Sequence, residues 1–383
     1  MDEKQYLQTL RKEVKKRRIN KILVIPRDRI GDCISETPLL SILRRQLPDA
    51  HISILVTPYT KDIVKNNPYL DKVYIYHRKK RFKMGSLLPY VPFFYKRLFH
   101  TLIRELNREQ IDLIVSLLRP IRELRYIFKH VRHRFLINRD TIAQYLIDHG
   151  VTKQAPMYHR NLFFLQAMGI DARQARGQLY WSPADKDCID NLFTSLSLSD
   201  KDLIIAVHAG CAKSKKITSL KEAKKVWPIE NYPEILKRMI KSFNAKIILT
   251  GVQKEEAEAN RRIQAQVGEG VHVISRTTIN QFAYLLSKCA LMLTTDTGSL
   301  HVAAAVGIPI VALFGPTSVQ QYSPFVPKGF LREVITDIGC RPCNLEASCE
   351  ENLCMQKMRV DDVFQAISAH LKAHRKKVSP RKR

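Results

Sequence analysis

The sequence predicts an α/β protein built from two doubly wound, Rossmann-like halves, and three observations carry that prediction. Short apolar runs alternate with helical patterns along most of the 383 residues, the order that yields a parallel sheet covered on both faces. The alternation loosens once, in the polar, turn-rich stretch DARQARGQLYWSPADKD that begins at 171. It then resumes as a second series. A chain of this length, 45% hydrophobic, buries enough surface for two cores. The expected organisation is a first domain over 1–180, a second over 181–358, and a terminal helix with a basic tail over 359–383.

In order, residues 1–18 read as a charged amphipathic helix. Ile22 to Ile25 form a strand, and Arg27 to Asp32 a turn containing Gly31. SETPLLSILRRQLP has helical spacing, with Leu39, Leu40, Ile42 and Leu43 as its apolar stripe. HISILVTP, KVYIYH and IDLIVSLL supply further strands. The second series reads LIIAVHAG, AKIILTGV, VHVIS, LMLTTD and IPIVALFG. VDDVFQAISAHLK at 360–372 is a terminal helix. In doubly wound sheets ligands bind beyond the carboxyl ends of the strands, so the residues that follow each strand are the functional candidates.

The formal net charge is +28. Residues 1–175 hold 34 Lys and Arg against 16 Asp and Glu, and residues 372–383 hold seven against none, while the intervening stretch is nearly balanced. A basic field of this kind expects an anionic partner: a phospholipid surface, a phosphorylated glycan or a nucleic acid. General solubility is the plainer reading. No recognised nucleic-acid module accompanies the charge, so no nucleic acid is expected. No long uncharged apolar stretch predicts a membrane span, and MDEKQYLQTLRKEVKKRR has no apolar signal core, which predicts a cytoplasmic chain. The eight cysteines then read as thiols or metal ligands before disulfides. No G-x-G-x-x-G follows an early strand, which disfavours a nicotinamide enzyme.

LMLTTDTGSLHVAAAVGIPIVALFGPTS at 291–318 is the most informative stretch. An apolar strand ends at Asp296 and Thr297, Gly298 permits a tight turn, and a small-residue helix carries His301 on its first turn. The amides at such a helix start suit a diphosphate. A helix cap at Asp296 or Thr297 with a packed His301 is the alternative. The pattern D-T-G-x-x-H-x-A-A-A-x-G-x-P-x-V-x-L-F-G-P-T resembles the sugar-nucleotide signature of glycosyltransferase family nine, the heptosyltransferases. ILVIPRDRIGDCISETPLLSILRRQLPDAHISILVTP, with its Gly31–Asp32 pair, is similar to the family's opening strand, loop and helix. KVWP at 225–228 is similar to its Lys-x-Trp-Pro element.

The resemblance implies a GT-B architecture, two Rossmann-like domains facing a central cleft, with acceptor bound by the first and nucleotide sugar by the second. It implies inverting transfer of heptose from ADP-heptose to a lipid-linked, anionic inner-core saccharide, on the inner face of the cytoplasmic membrane. Asp32 is then the catalytic base, or else a simple helix cap. Arg29 and Gly31 are acceptor-side candidates, although Arg27 and Arg29 also read as solvated loop charges. Lys225 matches the family's phosphate-binding lysine, with Lys224 a competitor, and Trp227 reads as core. Donor-binding candidates are Lys225, Asp296, Thr297, Gly298 and His301, with Gly210 and Ser214 from the loop HAGCAKSKK and Glu255 (or Glu256) from TGVQKEEAE. A lysine and a helix start can neutralise the diphosphate, so no catalytic cofactor is expected. Cys340, Cys343, Cys349 and Cys354, spaced C-x2-C-x5-C-x4-C, are candidate ligands of a structural zinc ion, with reduced loop thiols as the equal alternative. Finally, HRKKRFKMGSLLPYVPFFYKRLFHTLIREL at 77–106 mixes cations with aromatics, as an anionic membrane interface requires or as an internal loop and helix would also show.

Overall fold

The computed structural model describes residues 2–77, 91–152, 155–173, 175–210, 224–345, 349 and 351–374, with the backbone alone over 91–96. It divides into two compact units, Met1–Ala175 and Arg176–Arg383. The division lies inside the polar stretch, five residues before the expected 180/181 boundary. The local reason is contact: Asn280 Nδ2 donates to the Tyr180 carbonyl at 2.6 Å, and the Arg176 guanidinium lies where a Cβ on Gly307 would stand.

The first unit runs α1 (Glu3–Lys15), β1 (Lys21–Ile25), α2 (Ile30–Gln46), β2 (His51–Val56), α3 (Lys61–Val64), β3 (Lys72–Ile75), α4 (Val91–Arg108), β4 (Ile111–Ser116), α5 (Arg122–His130), β5 (His133–Ile137), α6 (Ala143–Asp148) and α7 (Met157–Ala167). Its strands pair in the order β3-β2-β1-β4-β5, all parallel. The predicted N-terminal helix is present. Asp2 caps it by accepting from the Gln5 amide at 2.7 Å, and it buries Leu7, Leu10 and Val14. Tyr6 ties it to Leu136 on β5, and Arg11 ties it to the last carbonyl of α7.

The second unit continues with α8 (Pro183–Ser195), β6 (Leu203–His208), α9 (Asn231–Phe243), β7 (Ala245–Thr250), α10 (Lys254–Val267), β8 (Val271–Ile274), α11 (Ile279–Ser287), β9 (Leu291–Thr295), α12 (Gly298–Val306), β10 (Ile310–Phe314), α13 (Val319–Tyr322), β11 (Leu331–Ile335), α14 (Leu353–Gln356) and α15 (Val360–His374). Its order is β8-β7-β6-β9-β10-β11, again parallel throughout. Both orders are doubly wound, with the chain reversing direction across the sheet between β1 and β4 and between β6 and β9. β5 and β11, which the apolar-run reading missed, are outer strands. HRFLI and LREVI bury only part of their length, so they lack the continuous apolar run of an interior strand.

The terminal helix belongs to the second core. Val363 and Ile367 are fully buried beside Ile235, Leu236 and Met239 of α9, and Phe364 stacks on Phe243. Its last turn is pinned by His370 and His374, whose Nε2 atoms bond the carbonyls of Phe330 and Gly329 at 3.1 and 2.8 Å. No helix among the described residues is long and apolar enough to cross a membrane.

Burial pushes the His370 imidazole down to about 4. The unfolded chain takes up this proton near pH 6.5 and the folded chain only near pH 4. Stability conferred by the neutral ring is complete above that window and is lost as pH falls through it, with a limiting slope of ~1.4 kcal/mol per pH unit. Urea unfolding between pH 7 and 4 checks this, and His370→Gln is expected to remove this share of the slope.

Candidate functional site

In the second unit the crossover strands β6 and β9 are neighbours, with Val207 opposite Leu293 and His208 opposite Thr294. Chain leaving β6 and chain leaving β9 therefore emerge side by side. The structure joins them through two predicted residues: Lys225 Nζ donates to Asp296 Oδ2 at 2.5 Å and to the Asp296 carbonyl at 3.1 Å. Asp296 is buried, and the lysine keeps only a small exposed fraction. The anchor for Lys225 is its neighbour. Trp227 is fully buried, packs edge-on against Tyr232, and donates its indole N–H to the Met358 carbonyl at 2.9 Å. Trp227 is thus core, as its sequence context suggests, and it fixes the backbone from which Lys225 reaches Asp296.

Thr297 is the N-cap residue of α12, and Gly298 is its first helical residue. No side chain caps this helix. The Thr297 hydroxyl is instead shared with Ser299 at 2.6 Å, and Ser299 is in turn bonded to Thr294 at 2.8 Å. The Leu300 amide bonds the Thr297 carbonyl at 3.2 Å, so the amides that this helix start can offer to an anion are those of Gly298 and Ser299. His301 is buried on the same short helix. Tyr322, which the sequence reading missed, brings its ring centroid to 5.8 Å from Lys225 Nζ. Its only sequence signal is its place five residues after the FGPT run.

Beside this lies a buried polar knot at the ends of β6 and β7. Glu256 accepts from the Val252 and Gln253 amides at 3.0 and 3.2 Å, so its carboxylate closes the start of its own helix. A Cβ on Gly210 would stand 2.6 Å from Glu256 Cγ, and one on Gly251 would stand 2.7 Å from Glu256 Cβ. Gly210 is thereby explained by close approach to Glu256. His208 bonds the Thr250 carbonyl at 3.2 Å, and burial holds its imidazole below the usual range. Of the two glutamates weighed from sequence, Glu256 is structural, and Glu255 is the half-buried one in the first turn of α10. Ser214 lies outside the described residues.

In the first unit the expected turn over Arg27–Asp32 is shorter than predicted. α2 begins at Ile30, so Gly31 and Asp32 occupy its first turn, with Arg29 as N-cap residue. An acid in a first helical turn is favoured by the helix dipole, which is why the helix extends back through Gly31. Asp32 is half-buried and Arg29 exposed. Arg27 is not a solvated loop charge. Its side chain pairs with buried Glu36 and donates to Asn161 Oδ1 at 2.7 Å, while its amide donates to Glu36 Oε2 at 2.8 Å. Burial pushes the Glu36 carboxyl up, although Arg27 opposes this. Cys33 is buried and its thiol is pushed well up, chiefly by desolvation, which removes it as a nucleophile.

The zinc expectation is corrected. Among the described residues no three His, Cys, Asp or Glu side chains converge to hold a metal ion, and all four candidate cysteines are described. Their surroundings divide them: Cys340 is exposed, Cys343 and Cys349 are half-buried, and Cys354 is buried with its thiol pushed up to about 11 by desolvation. The loop has a different fixing. Arg341 Nε donates to the Gly315 carbonyl at 2.5 Å, the Asn344 amide to the Pro316 carbonyl at 2.8 Å, and the Ser318 amide to Asn344 Oδ1 at 3.0 Å.

Removing the lysine leaves Asp296 buried and unpaired. Lys225→Met is expected to cost the second unit about 3 kcal/mol in urea unfolding, and Lys225→Met with Asp296→Leu to recover most of it. A neutral single variant would overturn the pairing.

Comparison with known proteins bears on the fold and the family. A Haemophilus influenzae protein whose name marks it as a glycosyltransferase is 22% identical over 370 residues, spanning 92% of this chain and 97% of its own. Lipopolysaccharide heptosyltransferase 3 of Escherichia coli is 22% identical over 309 residues, 77% of this chain and 83% of its own. Among solved structures, a family 9 glycosyltransferase of Veillonella parvula superposes with a TM-score of 0.76 at 18% identity, over 93% of this chain and 98% of its own. The E. coli ADP-heptose lps heptosyltransferase II gives 0.68 at 20%, over 93% and 99%. These likenesses show the two-unit GT-B fold. Residues 127–353 match the description of glycosyltransferase family 9 (heptosyltransferase), well over half of the chain, and the chain belongs to that family and is a glycosyltransferase.

Proposed function

We propose that the enzyme transfers heptose from ADP-heptose, with inversion, to a lipid-linked anionic inner-core saccharide. The observation that carries the reading is the Lys225–Asp296 pair at the crossover of the second sheet, beside an uncapped helix start. That combination suits a sugar diphosphate: a cation for the departing phosphates, first-turn amides for their oxygens, and a carboxylate for a sugar hydroxyl. The names of the relatives, which include heptosyltransferases of lipopolysaccharide, favour heptose as the sugar.

Asp32 is the proposed base. Its carboxylate takes the proton of the acceptor hydroxyl while that oxygen forms a bond to the anomeric carbon. The bond from that carbon to the diphosphate oxygen breaks on the opposite side, and the electron pair leaves with the nucleotide diphosphate. Lys225 and the first amides of α12 stabilise the charge that grows there, while Asp296, Thr297, Gly298 and His301 orient the donor. Glu255 is proposed for the nucleotide ribose, and Gly210 and Ser214 for the phosphate path. Arg29 and Gly31 meet the acceptor. With a lysine and a helix start opposing the diphosphate, this chemistry needs no further cofactor. The proposed site of action is the inner face of the cytoplasmic membrane, where a lipid-linked acceptor is presented.

A donor screen with lipid-linked core acceptors, read by the mass gained by the acceptor, tests the function. Asp32→Asn is expected to lower transfer by about 10³-fold while leaving donor affinity within twofold. Lys225→Ala is expected to weaken donor binding as well as transfer. Salt-dependent nucleic-acid binding with no nucleotide-sugar affinity would overturn the reading, as would donor binding with no transfer, the mark of a noncatalytic relative; unchanged transfer in Asp32→Asn would remove Asp32 as the base.

A further inference from the structure

In the first unit, α4 and α5 lie side by side and are locked together. Asn107 on α4 donates to the His130 carbonyl at the end of α5 at 3.0 Å and accepts from the Arg132 amide at 2.6 Å. Tyr126 on α5 meets Phe99 and His100 on α4 at 6.0 and 6.4 Å between ring centroids. Inward-facing Leu102, Ile103 and Leu106 share one core with Leu124 and Ile127. The opposite faces of both helices point to solvent.

Those outward faces are basic. On α4, Arg97, Arg104 and Arg108 are exposed at helical spacing along one stripe, and on α5, Arg122, Arg125 and Lys129 form a second. Among the described residues of these faces the exposed acid is Glu105. Two large exposed apolar side chains flank the cations: Tyr126, 37% exposed, beside the α5 stripe, and Leu98, 54% exposed, about a quarter-turn around α4 from its arginine stripe, on the flank of Glu105. A stripe of cations alone suits any polyanion. Exposed tyrosine and leucine at the margins of cation stripes suit a surface that is charged at its rim and apolar a few ångströms deeper, which is a phospholipid interface.

We propose that the outward face of α4 and α5 docks on an anionic phospholipid bilayer. The proposal deepens the reading above and rests on its lipid-linked acceptor, since a rigid two-helix face holds the enzyme on the surface that presents it. Arg and Lys residues meet the phosphates while Leu98 and Tyr126 enter the interface. The expected partner is the shared negative charge of the leaflet, and attraction to it is screened by salt.

The full-length chain is sedimented with vesicles of about one-third phosphatidylglycerol in phosphatidylcholine, and with pure phosphatidylcholine, at low and high salt. Binding to the anionic vesicles alone, weakened by salt, is expected. Arg122→Glu with Arg125→Glu and Lys129→Glu is expected to lower partitioning by about a hundredfold, and Leu98→Ser with Tyr126→Ser by about tenfold. Thermal melts confirm that each variant is folded; if the charge reversals unfold the chain, the second variant decides alone. Partitioning within twofold of the parent in a folded variant overturns the proposal. So does loss of single-stranded DNA binding with vesicle binding intact, which assigns the face to nucleic acid. Transfer to a detergent-dispersed acceptor is measured in parallel: if it persists while vesicle binding fails, this proposal falls and the transferase reading stands, and the reverse outcome separates them equally.

Discussion

The ion pair between Lys225 and Asp296 is the constraint on which the carboxyl end of the second sheet depends, and with it the donor site proposed there. The two residues are 71 positions apart, and they meet because β6 and β9 are adjacent at the crossover of the sheet. Burying both charges is costly, and the mutual attraction offsets that cost only with close geometry. Trp227 provides the geometry by seating the segment after β6 in the core. The pairing also keeps a lysine poised at the carboxyl end of the sheet. An ammonium group has three donors, and Asp296 takes two of them through its carboxylate and its own carbonyl. An arriving diphosphate can share or take over those donors without any cation having to enter the site.

The first unit solves a related problem in a different way. Arg27 is gripped from two helices, Glu36 on α2 and Asn161 on α7, and Asn161 in turn donates to the Ser35 carbonyl. This buried polar frame fixes the end of β1 against the start of α2, where Asp32 stands. Glu36 is fully buried, and its desolvation raises its carboxyl, while the guanidinium acts to keep it ionised. The frame therefore holds only if Arg27 remains charged, and the carboxylates of Glu36 and Asp32 both favour that. Asp32 is left half-buried at a helix start, a position fixed by this frame and partly exposed, as the proposed base requires.

Much of this was legible in the sequence, and the remainder was hidden for identifiable reasons. The interior strands announced themselves as apolar runs, and the Asp296–His301 turn and the Lys225 element stood out by residue type. Pairing between them did not, because adjacency of β6 and β9 is a property of strand order rather than of local pattern. β5 and β11 were invisible because arginine and other polar residues break HRFLI and LREVI into runs of two or three apolar residues, too short to read as strands. The start of α2 was misplaced because Gly31 reads as a turn residue, whereas an acid at the next position stabilises a helix start. The close approach of the Glu256 side chain to Gly210, which also leaves no room for a Cβ there, carried no sequence signal. Tyr322 carried no motif at all. The basic aromatic segment was recognised by composition, but 78–90 lie outside the described residues, and the face that its helix shares with α5 emerged only from tertiary contact.

The cysteine loop shows how a spacing can mislead. Four cysteines within fifteen residues suggest a metal-held turn, yet the same loop is fixed by other bonds. Arg341 and Asn344, on either side of Cys343, hold the chain that follows β10 through the Gly315 and Pro316 carbonyls and the Ser318 amide. Met355 and Cys354 press on Gly315 so closely that a Cβ there would overlap them, at 2.4 Å from the Met355 sulfur. Cys354 thus behaves as a small buried hydrophobe, with its thiol pushed up to about 11 by desolvation. The loop's service to the site is mechanical. It braces the FGPTS segment that leads into α13 and Tyr322, and through Tyr322 it reaches the same lysine that pairs with Asp296.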